Sequence, residues 1–276
     1  MLASFFIGIR EGLEAALIIA ILVAYLTQND LRRHLRTIAW GVVAAVGVSL
    51  AAAGVLELTS NALSEEFSAA FEAVTSLVAV ALIAWMTLWM AHHARTMKSD
   101  LHSALDNALG SNALAIAGVA FFAVLREGLE TSVFMWASIR TAGETLEPVI
   151  GLVLGLGISL AAGYGLYRGF IKLPLSKVFT YVGGLLIFFG SSVLAYGVHE
   201  LQELGFFPFE EVVLWDTRDS IDPYGLAGSL MRGILGYRGE VTLLEAIAWV
   251  GYILIFGALF KNALQTPTEQ REKVSA

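Results

Sequence analysis

The pentapeptide Arg-Glu-Gly-Leu-Glu occurs twice in this chain, at residues 10–14 and again at residues 126–130. Each copy lies inside an apolar stretch, 3–26 or 113–139, that is long enough to cross a bilayer as a helix. An ionisable side chain near the bilayer centre costs roughly 2.5–3.5 kcal/mol on insertion scales. The six ionisable side chains of the two copies therefore have to face a protein interior, where they pair with one another and with a bound ion.

The rest of the sequence is typical of a membrane protein, because 57% of the residues are hydrophobic and only 15% are charged. Seven apolar stretches each reach the length of a transmembrane helix. They are 3–26, 37–58, 69–91, 113–139, 147–167, 178–198 and 243–260. The absence of cysteine excludes disulfides and thiolate metal sites. We therefore expect an all-α integral membrane protein with seven transmembrane helices, surrounded by lipid and without a nucleic-acid partner.

The spacing of the motif predicts an inverted repeat. The two copies are 116 residues apart, and each opens a unit of three apolar stretches. Because three is an odd number, the second unit enters the membrane from the opposite side, as in many transporters. The predicted division is repeat 1 at 1–91, an amphipathic cytoplasmic linker helix at 92–112, repeat 2 at 113–198, an acidic extracytoplasmic loop at 199–242, the seventh helix at 243–260 and a cytoplasmic tail at 261–276.

Lysine and arginine set the predicted orientation in the membrane. The connections on one side carry eleven of these residues, and those on the other side carry four. Since the richer side faces the cytoplasm, the N-terminus is expected outside and the C-terminus inside, in the cytoplasmic (inner) membrane.

In each copy of the motif, the two glutamates are three residues apart, so they share one face of a helix. The arginine precedes the second glutamate by four residues and can pair with it. The glycine between them lets another helix approach closely. The candidate metal ligands are Glu11, Glu14, Glu127 and Glu130, and the supporting ion pairs are formed by Arg10 and Arg126.

Four carboxylates and two guanidinium groups leave a negative surplus that a cation can neutralise. Oxygen ligands suit hard ions such as Mg²⁺, Ca²⁺, Mn²⁺ and Fe³⁺, and protons could replace the metal. An intramembrane di-metal enzyme is disfavoured, because such sites combine Glu-x-x-His pairs on helices and neither motif copy is followed by a suitable histidine. The residues thus leave open a transporter or channel for any of these hard cations (Mn²⁺, Mg²⁺, Ca²⁺ or Fe³⁺), with coupling to protons.

Three further glutamates and a histidine at the outer ends of the helices are expected to form an acidic vestibule that concentrates cations. Its candidate residues are Glu57, Glu72, His199 and Glu200. Met86 and Met90, which are four residues apart, are interpreted as packing residues of the bundle. Trp85 and Trp89 are interpreted as interfacial or packing residues.

The doubled motif resembles the signature of the oxidase-dependent iron permease family, in its bacterial EfeU type. Other stretches resemble that family as well: Phe71-Glu72-Ala73, the segment from Trp85 to Met90, His199-Glu200 and Gly236-Tyr237. The resemblance covers most of residues 1–260. It implies import of iron, bound as Fe³⁺ by the motif glutamates, with no organic cofactor and no enzymatic reaction. It also implies extracytoplasmic partners that handle iron, such as an oxidase or a peroxidase.

Overall fold

The computed structural model describes residues 2–62, 65–93, 97–110, 113–142, 146–167, 175–207, 212–217 and 239–274. Several residues of the predicted acidic loop, of the connections used to predict the orientation and of the stretches that carry the family resemblance lie outside these ranges. They are Arg95, Arg168, Lys172, Glu210, Glu211, Arg218, Asp219, Asp222, Arg232, Gly236, Tyr237 and Arg238.

The described chain is almost entirely helical. Its α-helices are α1 (Leu2–Gln28), α2 (Leu35–Ala62), α3 (Glu65–His93), α4 (Met97–Leu109), α5 (Ala113–Ala142), α6 (Glu147–Tyr167), α7 (Leu175–Glu203) and α8 (Leu243–Val274). A 3₁₀ turn, Arg32–His34, precedes α2, and two short strands, β1 (Val213–Asp216) and β2 (Glu240–Thr242), pair antiparallel. The expected all-α class is confirmed, with this small two-stranded sheet as an addition.

Five described helices are long and apolar enough to cross a membrane. They are α2, α3, α6, α7 and α8. The other two long helices, α1 and α5, each carry the three ionisable residues of one motif copy. Seven spans therefore stay a prediction.

The helices extend beyond several of the predicted boundaries. Helix α3 continues to His93, and α4 occupies only Met97–Leu109 of the predicted linker. Helix α7 runs through Glu203 into the predicted loop, and α8 runs through the predicted tail to Val274. The physical reason is that helix propagation depends on backbone hydrogen bonds, and polar residues such as Glu and Gln extend a helix well outside an apolar stretch.

Local signals explain where two of the helices begin or end. Helix α1 ends where Asp30 takes a left-handed backbone conformation with φ 58°, which aspartate tolerates better than most residues. The Leu31 N–H then donates to the Leu26 carbonyl at 2.8 Å and closes the last turn. Helix α8 begins after Thr242, whose hydroxyl accepts a hydrogen bond from the Glu245 N–H at 3.3 Å as an N-cap.

The long helices associate in three main pairs, α1 with α6, α2 with α5 and α3 with α7, and α8 packs against α7 and α3. Small residues bring the first pair together. A Cβ on Gly155 of α6 would lie 2.9 Å from the Ile9 nitrogen of α1, so the two backbones touch here. Further along, a Cβ on Gly12 would lie 2.7 Å from the Ser159 Cβ, which shows that α1 and α6 run parallel.

Helix α4 lies across the ends of α1 and α5. It buries Leu101, Leu105 and Ala108, which recur at helical spacing, in a core shared with those helices. Next to this face, the Tyr25 hydroxyl of α1 donates to the Asp106 carboxylate, and the Tyr25 ring lies 4.8 Å from the His102 ring. The predicted amphipathic linker is thus a helix, packed onto the bundle by one face.

Candidate metal centre

Helices α1 and α5 run antiparallel and cross at the two motif copies. Near one end, the Ser4 and Ser138 hydroxyls are hydrogen-bonded at 2.6 Å. At the middle, Glu11 and Glu14 of α1 meet Glu127 of α5. One carboxylate oxygen from each of these three glutamates lies within 4.8 Å of the other two, which is close enough for all three to bind one metal ion.

The motif carboxylates are buried. Glu11 and Glu14 each expose 1% of their surface, Glu127 5% and Glu130 6%. Each of Glu11, Glu127 and Glu130 has an Oε2 atom that no described donor reaches with a hydrogen bond. Because a buried charged group without a partner is strongly destabilising, these atoms mark a place that is suited to a positively charged ligand.

Arg10 neutralises part of this charge from within α1. Its Nη1 donates to Glu11 Oε1 at 3.0 Å, and its Nε lies 3.3 Å from Glu14 Oε1. The same Nη1 lies 3.1 Å from the Met86 sulfur of α3. Arg10 is 2% exposed, so both its charge and its contacts are shielded from water and lipid.

Arg126 has a different environment from Arg10. Its Nε lies 3.0 Å from Glu130 Oε1 and 4.0 Å from Glu127 Oε1, and its side chain is 34% exposed. The guanidinium carbon lies 4.3 Å from the centre of the Trp89 ring and 5.8 Å from that of Trp85. Aromatic faces therefore stabilise this cation, in place of the enclosed environment that surrounds Arg10.

The charge of the centre is unbalanced within the motif residues. Four ionised glutamates carry more negative charge than two arginines neutralise. The atoms that are available to bind a ligand are carboxylate oxygens. Hard cations prefer such oxygens. Among the described residues, the three-ligand group consists of Glu11, Glu14 and Glu127, while Glu130 lies beside it in its ion pair with Arg126.

Both motif glycines let a second helix approach the centre, as the sequence predicts. A Cβ on Gly12 would lie 2.9 Å from the Ser159 hydroxyl of α6. A Cβ on Gly128 would collide with the Ser49 side chain of α2. The serines also bond the motif helices, since Ser159 donates to the Ile9 carbonyl at 2.8 Å, and Ser132 of α5 donates to the Ser49 carbonyl at 2.9 Å.

A second buried polar cluster involves Glu72, one of the predicted vestibule residues. The Glu72 carboxylate accepts hydrogen bonds from the Tyr196 hydroxyl and, at 3.2 Å, from the Ser68 hydroxyl. It also lies 3.6 Å from Arg140 Nη1 of α5. Arg140 in turn donates to the Ser60 hydroxyl at 2.6 Å. Glu72 is therefore part of an ion-paired network between helices.

Among the other predicted vestibule residues, Glu200 belongs with Glu72, because both carboxylates interact with the Tyr196 hydroxyl. His199 lies between two carboxylates, with Nδ1 2.8 Å from Glu245 Oε1 and Nε2 3.0 Å from Glu203 Oε1. Glu200 is buried, one turn after Tyr196 on α7. Glu57 is exposed on α2. The prediction of one vestibule with all four residues stays a prediction.

Several residues of the two clusters were not expected there from the sequence, and the following four are among them. Met86, Trp89, Arg140 and Tyr196 contact the charged groups described above. Met86 and Trp89 follow the apolar pattern of α3, which does not distinguish packing residues from partners of an arginine. Arg140 could have been singled out from the sequence, because it is the single basic residue in the predicted connection 140–146.

Comparison with known proteins identifies the family of this chain. Residues 1–265 match the iron permease FTR1 family. The chain is 30% identical over 257 residues to the ferrous iron permease EfeU of Escherichia coli O6:H1 (strain CFT073), covering 92% of this chain and 93% of the relative. The EfeU protein of Yersinia pestis is also 30% identical over 257 residues, with 92% and 91% covered. No solved structure matches the chain significantly. With several helices apolar enough to span a bilayer, this is a multi-pass membrane protein, and it belongs to the iron permease FTR1 family.

Proposed function

We propose that this protein imports iron across the cytoplasmic membrane through the motif glutamates of α1 and α5. The observation that carries the proposal is the group of buried carboxylates on two crossing helices, with oxygen atoms that no donor in the described part of the chain reaches. Intramembrane ionisable residues facing a bundle interior mark ion pathways by default. Membership in an iron permease family identifies iron as the transported ion.

Within this proposal, the glutamates have distinct roles. Glu11, Glu14 and Glu127 bind the ion first, because their oxygens already converge. Glu130 completes the ligand set when its carboxylate turns from Arg126 towards the ion. Arg10 keeps the carboxylates of α1 in place between transport events, since it contacts both of them.

The proposal includes an inverted repeat of three plus three helices, followed by a seventh. The pairing of the helices supports it. Helix α1, the first of repeat 1, packs on α6, the second of repeat 2. In the same way α5, the first of repeat 2, packs on α2, the second of repeat 1. The two motif glycines also contact equivalent partners, Ser159 and Ser49. The antiparallel crossing of α1 and α5 is what two oppositely inserted repeats require.

We further propose that the N-terminus lies outside and that transport is directed inward. The absence of cysteine makes this orientation simple to test. Ala104 on α4 is exposed and belongs to the predicted inner side, whereas Leu146, before α6, is exposed on the predicted outer side. In intact cells, a membrane-impermeant maleimide should label the Leu146→Cys variant and spare the Ala104→Cys variant. The reverse labelling would contradict the orientation.

The proposed valence of the bound iron is Fe³⁺. An all-oxygen, negatively charged ligand set favours the harder and more highly charged ion. An oxidase or peroxidase partner on the outer side would supply it. The relatives are named ferrous iron permeases, which favours Fe²⁺ as a second candidate. Uptake into proteoliposomes should be compared for Fe²⁺ under reducing conditions and chelated Fe³⁺ at matched free concentrations. Faster uptake of Fe²⁺ would overturn the ferric assignment and leave the site intact.

The central experiment is iron uptake by purified protein in liposomes, with Mn²⁺, Mg²⁺ and Ca²⁺ as competitors. Glu14→Gln and Glu127→Gln should each lower the initial rate at least tenfold, because they remove a ligand charge without creating a cavity. Glu147→Gln, the same change at an exposed position at the start of α6, is the matched control and should transport normally. Normal uptake by both ligand variants would refute the site, and stronger competition by Mn²⁺ than by iron would favour the alternative cation.

A further inference from the structure

An apolar groove of about 850 Å³ lies on the surface of the bundle between α2 and α5. Trp40 on α2, together with Leu114 and Phe122 on α5, contributes to its walls, and each of these side chains exposes at least 70% of its surface. Ligand pockets of proteins have volumes of roughly 300–1,000 Å³. The groove is therefore large enough for a substantial apolar ligand, and it lies away from the candidate metal centre.

Glycines determine the depth of this groove. At Gly41 the two helices touch, because an added Cβ would collide with the Ala117 carbonyl. At Gly118 the situation is reversed, since no atom lies within 4 Å of where its Cβ would be. Both glycines line the groove. The helices thus meet at the floor, while the absence of a side chain at Gly118 leaves the space above it open.

One end of the groove is positively charged. Arg36, Trp40 and Ala44 follow each other at spacings of four residues, so Arg36 extends the row of α2 side chains that lines the groove. Arg32 and Arg33 lie in the preceding turn, and all three arginines are exposed. The first turn of α5 lies at the same end, where the dipole of the helix adds positive potential.

We propose that this groove binds an anionic glycerophospholipid, with an acyl chain along the apolar walls and the phosphate held by Arg32, Arg33 and Arg36. Trp40 fits this placement, because tryptophan side chains prefer the boundary between headgroups and hydrocarbon. The charge complementarity selects this occupant over a neutral lipid, which gains nothing from the arginines. A second copy of the chain fits less well, because a two-fold interface through this face would bring two arginine clusters together.

The test is electron paramagnetic resonance of the full chain in bilayers that contain trace phosphatidylglycerol or phosphatidylcholine, spin-labelled on the acyl chain. Both lipids are measured with the natural protein, with the triple variant Arg32→Gln/Arg33→Gln/Arg36→Gln and with Arg36→Gln alone. Gly118→Leu fills the groove where space is open. Gly47→Leu is its matched control, because Gly47 is exposed on α2, has equally open space and does not line the groove.

We expect the natural protein to immobilise phosphatidylglycerol in preference to phosphatidylcholine. Each arginine removed should weaken this preference about fivefold at low salt, and the triple variant should lose it. Gly118→Leu should immobilise fewer phosphatidylglycerol molecules than Gly47→Leu does. Full preference in the triple variant, or equal immobilisation by the two leucine variants, would overturn the proposal. A change of oligomeric state in Gly118→Leu without a change in bound lipid would assign the groove to a second copy of the chain instead.

Discussion

At the scale of single residues, the two motif arginines show how the same sequence acquires different physical roles. Arg10 is enclosed and contacts two carboxylates and the Met86 sulfur. Arg126 has one close carboxylate partner, Glu130, and lies under the Trp89 ring with a third of its side chain exposed. The identical pentapeptides therefore place a permanently buried cation on one side of the carboxylates and a more accessible one on the other.

This difference predicts unequal effects of the same substitution. Arg10→Ala should destabilise the protein by about 3–5 kcal/mol, because it leaves buried carboxylates without their partner. Arg126→Ala is the matched control and should cost less, since Arg126 has one close carboxylate partner and a third of its side chain is already exposed. Thermal unfolding of both variants in detergent would measure the difference. An equal or larger loss of stability in the Arg126 variant would contradict this account of the two environments.

At the scale of helices, the bundle is assembled through contacts between backbones. Gly155 of α6 lies against the backbone of α1, and Gly12 of α1 lies against Ser159 of α6. Small residues at such interfaces are typical of membrane helices, where close packing and interhelical hydrogen bonds drive association. This packing fixes α1 beside α6 and so fixes the position of the α1 glutamates.

A methyl group at this interface should separate the helices. In Gly155→Ala, the new Cβ would lie 2.9 Å from the Ile9 nitrogen and 3.0 Å from the Gly8 carbonyl carbon, so the backbones have to move. We expect a loss of about 1–3 kcal/mol from overpacking. Gly157→Ala, two residues further along α6, has open space and should be neutral or slightly stabilising, because alanine favours a helix. The measurement is the melting temperature of each variant. Equal melting temperatures for Gly155→Ala and Gly157→Ala would exclude the backbone contact between α6 and α1.

At the scale of the whole molecule, the predicted distribution of charge between the two sides favours one direction of transport along the proposed pathway. The motif carboxylates lie in the middle of two long crossing helices. Most acidic residues outside the motif, including Glu72 and Glu200, belong to the predicted outer side, and basic residues outnumber acidic ones in the predicted inner connections. A cation is therefore attracted from one side and repelled from the other.

The same arrangement predicts a pH dependence of uptake. Carboxylates bind metal in their deprotonated form, so protons and iron compete for the same oxygens. Initial uptake should fall as the external pH is lowered from neutral to mildly acidic values, with chelators holding free iron constant. The rate should respond to external pH more than to the pH inside the liposomes. A flat profile, or faster flux outward under matched gradients, would contradict the proposed import through these glutamates.

The sequence alone determined the class of the protein and the residues of the candidate centre. Six ionisable side chains in two apolar helices are too costly to face lipid, so the burial of the four glutamates and their pairing with the two arginines followed from elementary energetics, whereas the partial exposure of Arg126 did not. Their spacing also predicted the intrahelical ion pair between Arg126 and Glu130, because residues four apart are neighbours on any helix. Similarly, the motif glycines predicted close approach of other helices, and the structure identifies those helices as α6 and α2.

Only the tertiary structure decided which distant residues complete these clusters. The partners of Arg10, Glu72 and Arg126 include Met86, Tyr196 and Trp89, which lie on helices far along the chain and follow the ordinary apolar pattern of a bundle. Periodicity shows which face of a helix is buried, but it carries no information about the helix that covers that face. The groove between α2 and α5 is hidden from the sequence for the same reason, since it exists only where Gly41 brings two helices into contact and Gly118 leaves space beside them.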